Sequence, residues 1–112
     1  MKKNLIAYSF SHFVVDFICA FSIFSLPHFY PEQVEYMLFY IILYGIIAFA
    51  GQAPLGMLCD QWRKPKLFAL IGVSLLLIAL GLVFVSPLWV VIVVGLGNAL
   101  FHVGGGVISL QL

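Results

Sequence analysis

The chain has 112 residues, of which 64% are hydrophobic and only 8% charged, against about a quarter charged in a soluble domain. A water-soluble fold of this length would leave large apolar patches exposed and aggregate, so the composition excludes a soluble domain and makes the lipid bilayer the expected solvent and partner. A net charge of +1 supplies no surface for a polyanion and no nucleic-acid partner is expected; where the charges sit carries the information.

The first apolar run, about 5–29, follows Lys2 and Lys3 and exceeds the roughly 20 residues that a helix needs to cross a hydrocarbon core. It reads as a retained helix and not as a signal peptide, because it is too long, carries Asp16 in its middle and has no small-residue cleavage site before "PHFYPE". At about 100° per residue, Ser9, His12, Asp16 and Cys19 fall in one narrow stripe. His12 and Asp16 are four apart and can face each other. An acid near a helix centre costs about 2.5–3.5 kcal/mol on insertion scales. Asp16 is therefore expected to face a water-accessible cavity with His12 and to exchange a proton with it as the cavity opens to either side. The alternative for the pair is a packing contact between helices.

After the break "HFYPEQVE", where His28, Phe29, Tyr30 and Tyr36 read as interfacial anchors, a second run covers about 34–58. Its Gly45, Ala48, Gln52 and Gly56 form a stripe of mostly small residues expected to pack against a neighbour. The run enters "GQAPLGMLCDQWRKPK", which holds four of the nine charged residues of the chain. Gly56 would let another helix approach closely at this end, and Asp60 can sit against a helix amino terminus or a basic side chain. Such contacts can latch one conformation shut.

The pattern of that stretch resembles the major facilitator superfamily, whose loop between helices two and three reads G-x-x-x-D-R-x-G-R-K-P or close to it. Gly56 and Asp60 keep the first spacing, and Arg63, Lys64 and Pro65 match its end if the family glycine is deleted; Gln61 stands where the family has Arg. The resemblance implies that Gly56, Asp60, Arg63 and Lys64 form a loop that holds the outward-facing state, partly through contacts to the other half of a transporter.

A third run, about 67–86, is separated by "SPLW" from a fourth, about 88–111. None of the four runs alternates as a membrane barrel strand does, so an all-α membrane protein of four transmembrane helices is expected. On the fourth, Asn98, His102, Gly105 and Ser109 make a second polar and small stripe, which with that of the first helix would line a cavity. "GLGNALFHVGGGVISL" looks like the glycine-rich fourth helix of the facilitator branch that includes fosmidomycin-resistance-type exporters, and "SHFVVDF" looks like that branch's first helix. The basic residue that many proton-coupled members carry early in helix four is absent, "WVVIVV" filling the region. The resemblance implies the first four helices of a major facilitator fold.

Lys2, Lys3, Arg63, Lys64 and Lys66 fall on one side of a chain that crosses four times, while Glu32 and Glu35 lie on the other without Lys or Arg. The amino terminus is therefore expected in the cytoplasm, with the chain multi-pass in the cell membrane. Cys19 and Cys59 stand on different helices without metal-type spacing and read as reduced packing cysteines. No nucleophile with a base and no phosphate-cradling motif appears, and "GGG" at Gly104–Gly106 lies inside an apolar helix; neither an enzyme nor a metal or other cofactor is expected. The expected function is the amino-terminal part of a secondary active transporter that moves a small solute or drug by alternating access. His12, Asp16, Asn98 and His102 would line the substrate or ion path; for Asn98 and His102 the alternative is a hydrogen-bonded packing contact between helices. The carboxy-terminal end "SLQL" fits an incomplete product whose remaining helices, or a second chain, complete the path. The alternatives are a complete four-helix transporter that dimerises, similar in size to the small multidrug resistance proteins, and a non-transporting membrane subunit.

Overall fold

Every backbone polar group of a lipid-facing segment must be paired within the segment. The computed structural model, which describes residues 2–110, pairs them in helices, with no strand among the described residues. Helix α1 spans Lys2–Phe29 and carries Pro27 in its last turn. A 3₁₀ segment, Pro31–Tyr36, opens with its proline in the first turn, where no N–H is needed. It leads into α2, Met37–Gly45, and a π-helical turn over Ile46–Ala50. Helix α3, Gln52–Trp62, completes that second crossing; α4 spans Pro65–Leu82 and α5 Pro87–Leu110. Four helical stretches are long and apolar enough to cross a membrane: Leu5–Phe29, Pro31–Trp62, Pro65–Leu82 and Pro87–Ile108. The described residues are therefore all-helical, with four candidate membrane spans.

The spacing predicts one regular helix over 34–58; the structure divides it. Pro54 has no N–H to offer the carbonyl four residues earlier, and its ring crowds that carbonyl. The chain widens by one π turn immediately upstream, a common device where an i→i−4 ladder is interrupted. The Gln52 side-chain amide donates to the Ala48 carbonyl at 3.0 Å, pairing a carbonyl of the widened turn. The third span also ends earlier than its apolar run, at Leu82 in place of 86. Beyond it, Phe84 N–H donates to Gly81 and Val85 N–H to Leu82, a tight turn that delivers Pro87 to the start of α5. At the other end of α4, Arg63 closes α3 in the left-handed conformation with φ 56°.

Helix α5 is the hub: it packs against α1, α4 and all three parts of the second span, whereas α1 and α2 scarcely touch. Lipid tails are as apolar as leucine, so helix association here rests on close van der Waals fit and not on a hydrophobic drive. The fit is tightest in the α4–α5 hairpin. A Cβ at Gly72 would lie 2.6 Å from the Gly97 carbonyl oxygen, and one at Gly97 2.8 Å from that of Gly72. One at Gly104 would run into the backbone of Pro65 and Ala69. Around this seam, Val15, Cys19, Ile23 and Leu26 of α1 meet Leu76 and Ala79 of α4 and Val90, Val91 and Val94 of α5. Tyr30, at the end of α1, donates its hydroxyl to the Val83 carbonyl at 2.7 Å and ties that end to the α4–α5 turn. Phe10, Phe13, Phe17 and Phe21 are exposed on the outside of the bundle, the surface expected of a helix that meets lipid.

Candidate functional site

Because α1 and α2 diverge while both lean on α5, a cavity of about 440 Å³ opens between the three. His12, Asp16 and Cys19 reach it from α1, Tyr44 from α2, and Asn98 and His102 from α5; Ile23, Phe24, Ile41 and Phe49 supply apolar walls. The four residues assigned by spacing to a path, His12, Asp16, Asn98 and His102, thus stand on one cavity. The second span lines it as well as packing, and its widened turn borders it through Phe49.

Asp16 is the meeting point. His12 Nδ1 lies 3.2 Å from Asp16 Oδ2 within α1, and His102 Nε2 of α5 lies 3.5 Å from Asp16 Oδ1. The two imidazoles meet edge to face with centroids 4.6 Å apart. The Asp16 side chain is 50% exposed and that of His102 only 19%, so the carboxylate faces the open side while His102 backs it from the bundle. One turn away the helices are brought together by Gly105, where a Cβ would run into the Tyr8 ring. Tyr8 in turn stacks on Phe101 with centroids 5.9 Å apart and planes within 7°. The glycine read as part of a polar stripe is thus a packing position that sets the α1–α5 approach.

Asn98 is 2% exposed. Its Nδ2 donates to the Tyr44 hydroxyl, and its Oδ1 is buried with no hydrogen-bond partner. Swapping the two terminal atoms of the amide would still leave one of them unpaired beside the cavity. A buried, unpaired polar atom costs about 1–3 kcal/mol, so this one calls for a partner from outside the chain.

Compared with protein-family models, curated proteins and solved structures, the chain finds no match. The site therefore rests on its own geometry. Ser9 of the α1 stripe is exposed and does not reach the cavity, and the side chain of Ser109 lies outside the described residues. Tyr44 escaped the sequence reading because one aromatic in "YIILYGIIAFA" is indistinguishable from lipid-facing filler. Its signal was the polar tip, which a buried tyrosine must satisfy.

The second group of assigned residues lies apart, at the turn joining α3 to α4. Asp60, Arg63 and Lys64 are exposed there, and Asp60 and Arg63 share a shallow recess with Pro65 and with Val107 of α5. Gly56 is half-buried, but nothing lies within 4 Å of where its Cβ would stand. The close helix approach expected at Gly56 occurs instead at Gly72, Gly97 and Gly104. Cys19 and Cys59 are both free and buried.

Proposed function

We propose that the chain forms the first four helices of a secondary transporter of the major facilitator type, which moves a small solute across the cytoplasmic membrane by alternating access. The observation that carries this is the group of Asp16, His12, His102 and Asn98, drawn from two helices onto one cavity inside an otherwise apolar bundle. Ionisable side chains at this depth are tolerated where they face water or one another, and they mark ion and substrate pathways. The walls are mainly apolar with a few convergent polar groups, which suits a small amphipathic molecule. The resemblance to the exporter branch makes efflux the proposed direction, and the basic residues before the first span and after the second support an amino terminus in the cytoplasm.

Asp16 is half-exposed on the open side of the cavity, and lipid is an impossible neighbour for it. Further helices of the same transporter close that side in this proposal; a second copy of the chain, as in a four-helix dimeric transporter, would close it equally. The turn between α3 and α4, with Asp60 beside Arg63 and the end of α5, is placed to act as the latch between the two access states.

Two-sided access tests the proposal without knowing the solute. Ala20 lines the cavity and is exposed. Ala20→Cys, in a background with Cys19 and Cys59 replaced by serine, should react with a membrane-impermeant maleimide in both right-side-out and inverted vesicles. Reaction from one side only, or from neither, contradicts alternating access. A cysteine at Lys64 should react only from the cytoplasmic side and one at Glu35 only from the outside.

A further inference from the structure

We infer that His12, Asp16 and His102 form a binding site for a divalent transition-metal ion of the zinc class. The site stands on side-chain geometry alone and does not depend on whether the chain transports anything. The three side chains each offer one ligand atom, and these atoms lie within 4.8 Å of one another.

The spacing leaves room for an ion between the three side chains. Two donors held about 2.0–2.1 Å from a tetrahedral ion stand roughly 3.3 Å apart. The nitrogen–oxygen separations here are 3.2 and 3.5 Å. A charge-assisted N–H···O bond would draw the same atoms to about 2.7–2.9 Å. The two contacts run to different oxygens of Asp16, so closing on one ion draws ligand atoms that lie within 4.8 Å of one another in to about 3.3 Å, a movement within the reach of side-chain torsions.

The donor set selects the metal. Calcium and magnesium take oxygen ligands almost exclusively, whereas two imidazoles with one carboxylate suit zinc and its neighbours in the first transition row. Three protein ligands leave a fourth position for water, and here that position has an approach. The approach is the open side of the cavity, onto which Asp16 is half-exposed. Asn98, one turn before His102, lines the same cavity, and its buried Oδ1 has no hydrogen-bond partner in the protein. The ligands also belong to two helices, so the ion would pin α1 to α5 at the point where the Tyr8–Gly105 contact already brings them together.

Sequence spacing gave no metal signature because the third ligand comes from the last span. His12 and Asp16 sit one turn apart on α1, but His102 meets them only through the packing of α5.

The test uses the full chain, purified with an affinity tag free of histidine and held in lipid nanodiscs. Calorimetric titration with Zn²⁺ should give one ion per chain, and Co²⁺ should give the visible absorption of a four-coordinate site. His12→Ala, Asp16→Asn and His102→Ala should each weaken Zn²⁺ binding by more than the about 10–100-fold typical of losing an outer-shell partner. His28→Ala, on the same helix and outside the cluster, should change it by less than about twofold, since it removes no ligand. Absence of Zn²⁺ uptake by the wild-type chain, or uptake that survives all three cluster substitutions, overturns the assignment. Should a cluster variant fail to fold, ring ¹⁵N resonances of the wild-type histidines decide. Zn²⁺ should shift those of His12 and His102 and leave that of His28 in place; a shift at His28 alone, or at none, overturns the assignment.

Discussion

Replacing Gly72 by alanine should loosen the whole bundle although it adds one methyl group. The new Cβ would stand 2.6 Å from the Gly97 carbonyl oxygen, 2.7 Å from the Phe101 nitrogen and 3.1 Å from its Cα. Ordinary van der Waals contact begins near 3.4 Å, so α5 has to retreat by roughly 0.8 Å, and backbone atoms cannot turn aside as a flexible side chain can. Overpacking of this kind costs about 1–3 kcal/mol. The retreat also reaches the site. His102 follows Phe101 directly and stands 3.5 Å from Asp16, so the same displacement alters the Asp16–His102 contact. Reversible unfolding in mixed micelles, followed by circular dichroism, should show the loss. Gly81→Ala is the matched control: its Cβ would meet nothing within 4 Å, and it should be neutral or stabilising by up to about 1 kcal/mol through helix propensity. Equal stability of Gly72→Ala and wild type, within about 0.3 kcal/mol against the range just given, would refute the close-packed seam.

Asn98→Leu combined with Tyr44→Phe removes a buried hydrogen-bonded pair together with the unpaired Oδ1. Replacing both partners by apolar groups should leave unfolding stability unchanged or raise it by about 1 kcal/mol, while any solute or ion binding at the cavity falls; a clear loss of stability would mean that the pair holds the bundle. Arg63→Gly should raise stability by a fraction of a kcal/mol, because the left-handed conformation costs an L-residue about 1–2 kcal/mol and glycine returns about 0.5–1 kcal/mol of that as backbone entropy; thermal unfolding in micelles reads the sign. In the transport-competent protein, Asp60→Asn should lower the rate of transport and leave equilibrium solute binding nearly intact, as befits a latch at the α3–α4 turn; lost binding with unchanged conformational exchange would assign Asp60 to the solute.

The four crossings were legible because lipid leaves little choice: an apolar run of this length must pair its own backbone, and Pro31, Pro65 and Pro87 mark the breaks. Pro54 was equally visible inside the second run, yet its consequence, a π turn at Ile46–Ala50, is set by how the second span settles against α5. All four path residues were legible as polar stripes on two helices, but only the contact between His12 and Asp16, which share a face at four-residue spacing, followed from the sequence. That His102 completes the site depends on the rotation of α5 about its axis, which the Tyr8–Gly105 and Gly72–Gly97 contacts set across the bundle. Glycines show the limit most plainly. Gly56 and Gly72 look alike in the sequence, and only the second has a helix against it.

The contact between Asp16 and His102 carries the site, the proposed path and the metal assignment together, and it can be measured directly. Solid-state NMR on the full chain in lipid bilayers, with ¹³C in aspartate and ¹⁵N in the histidine rings, should show a through-space correlation from the Asp16 carboxyl carbon to the rings of both His12 and His102. A correlation to His12 alone, with His102 silent under conditions where the α1 pair is seen, would contradict the account.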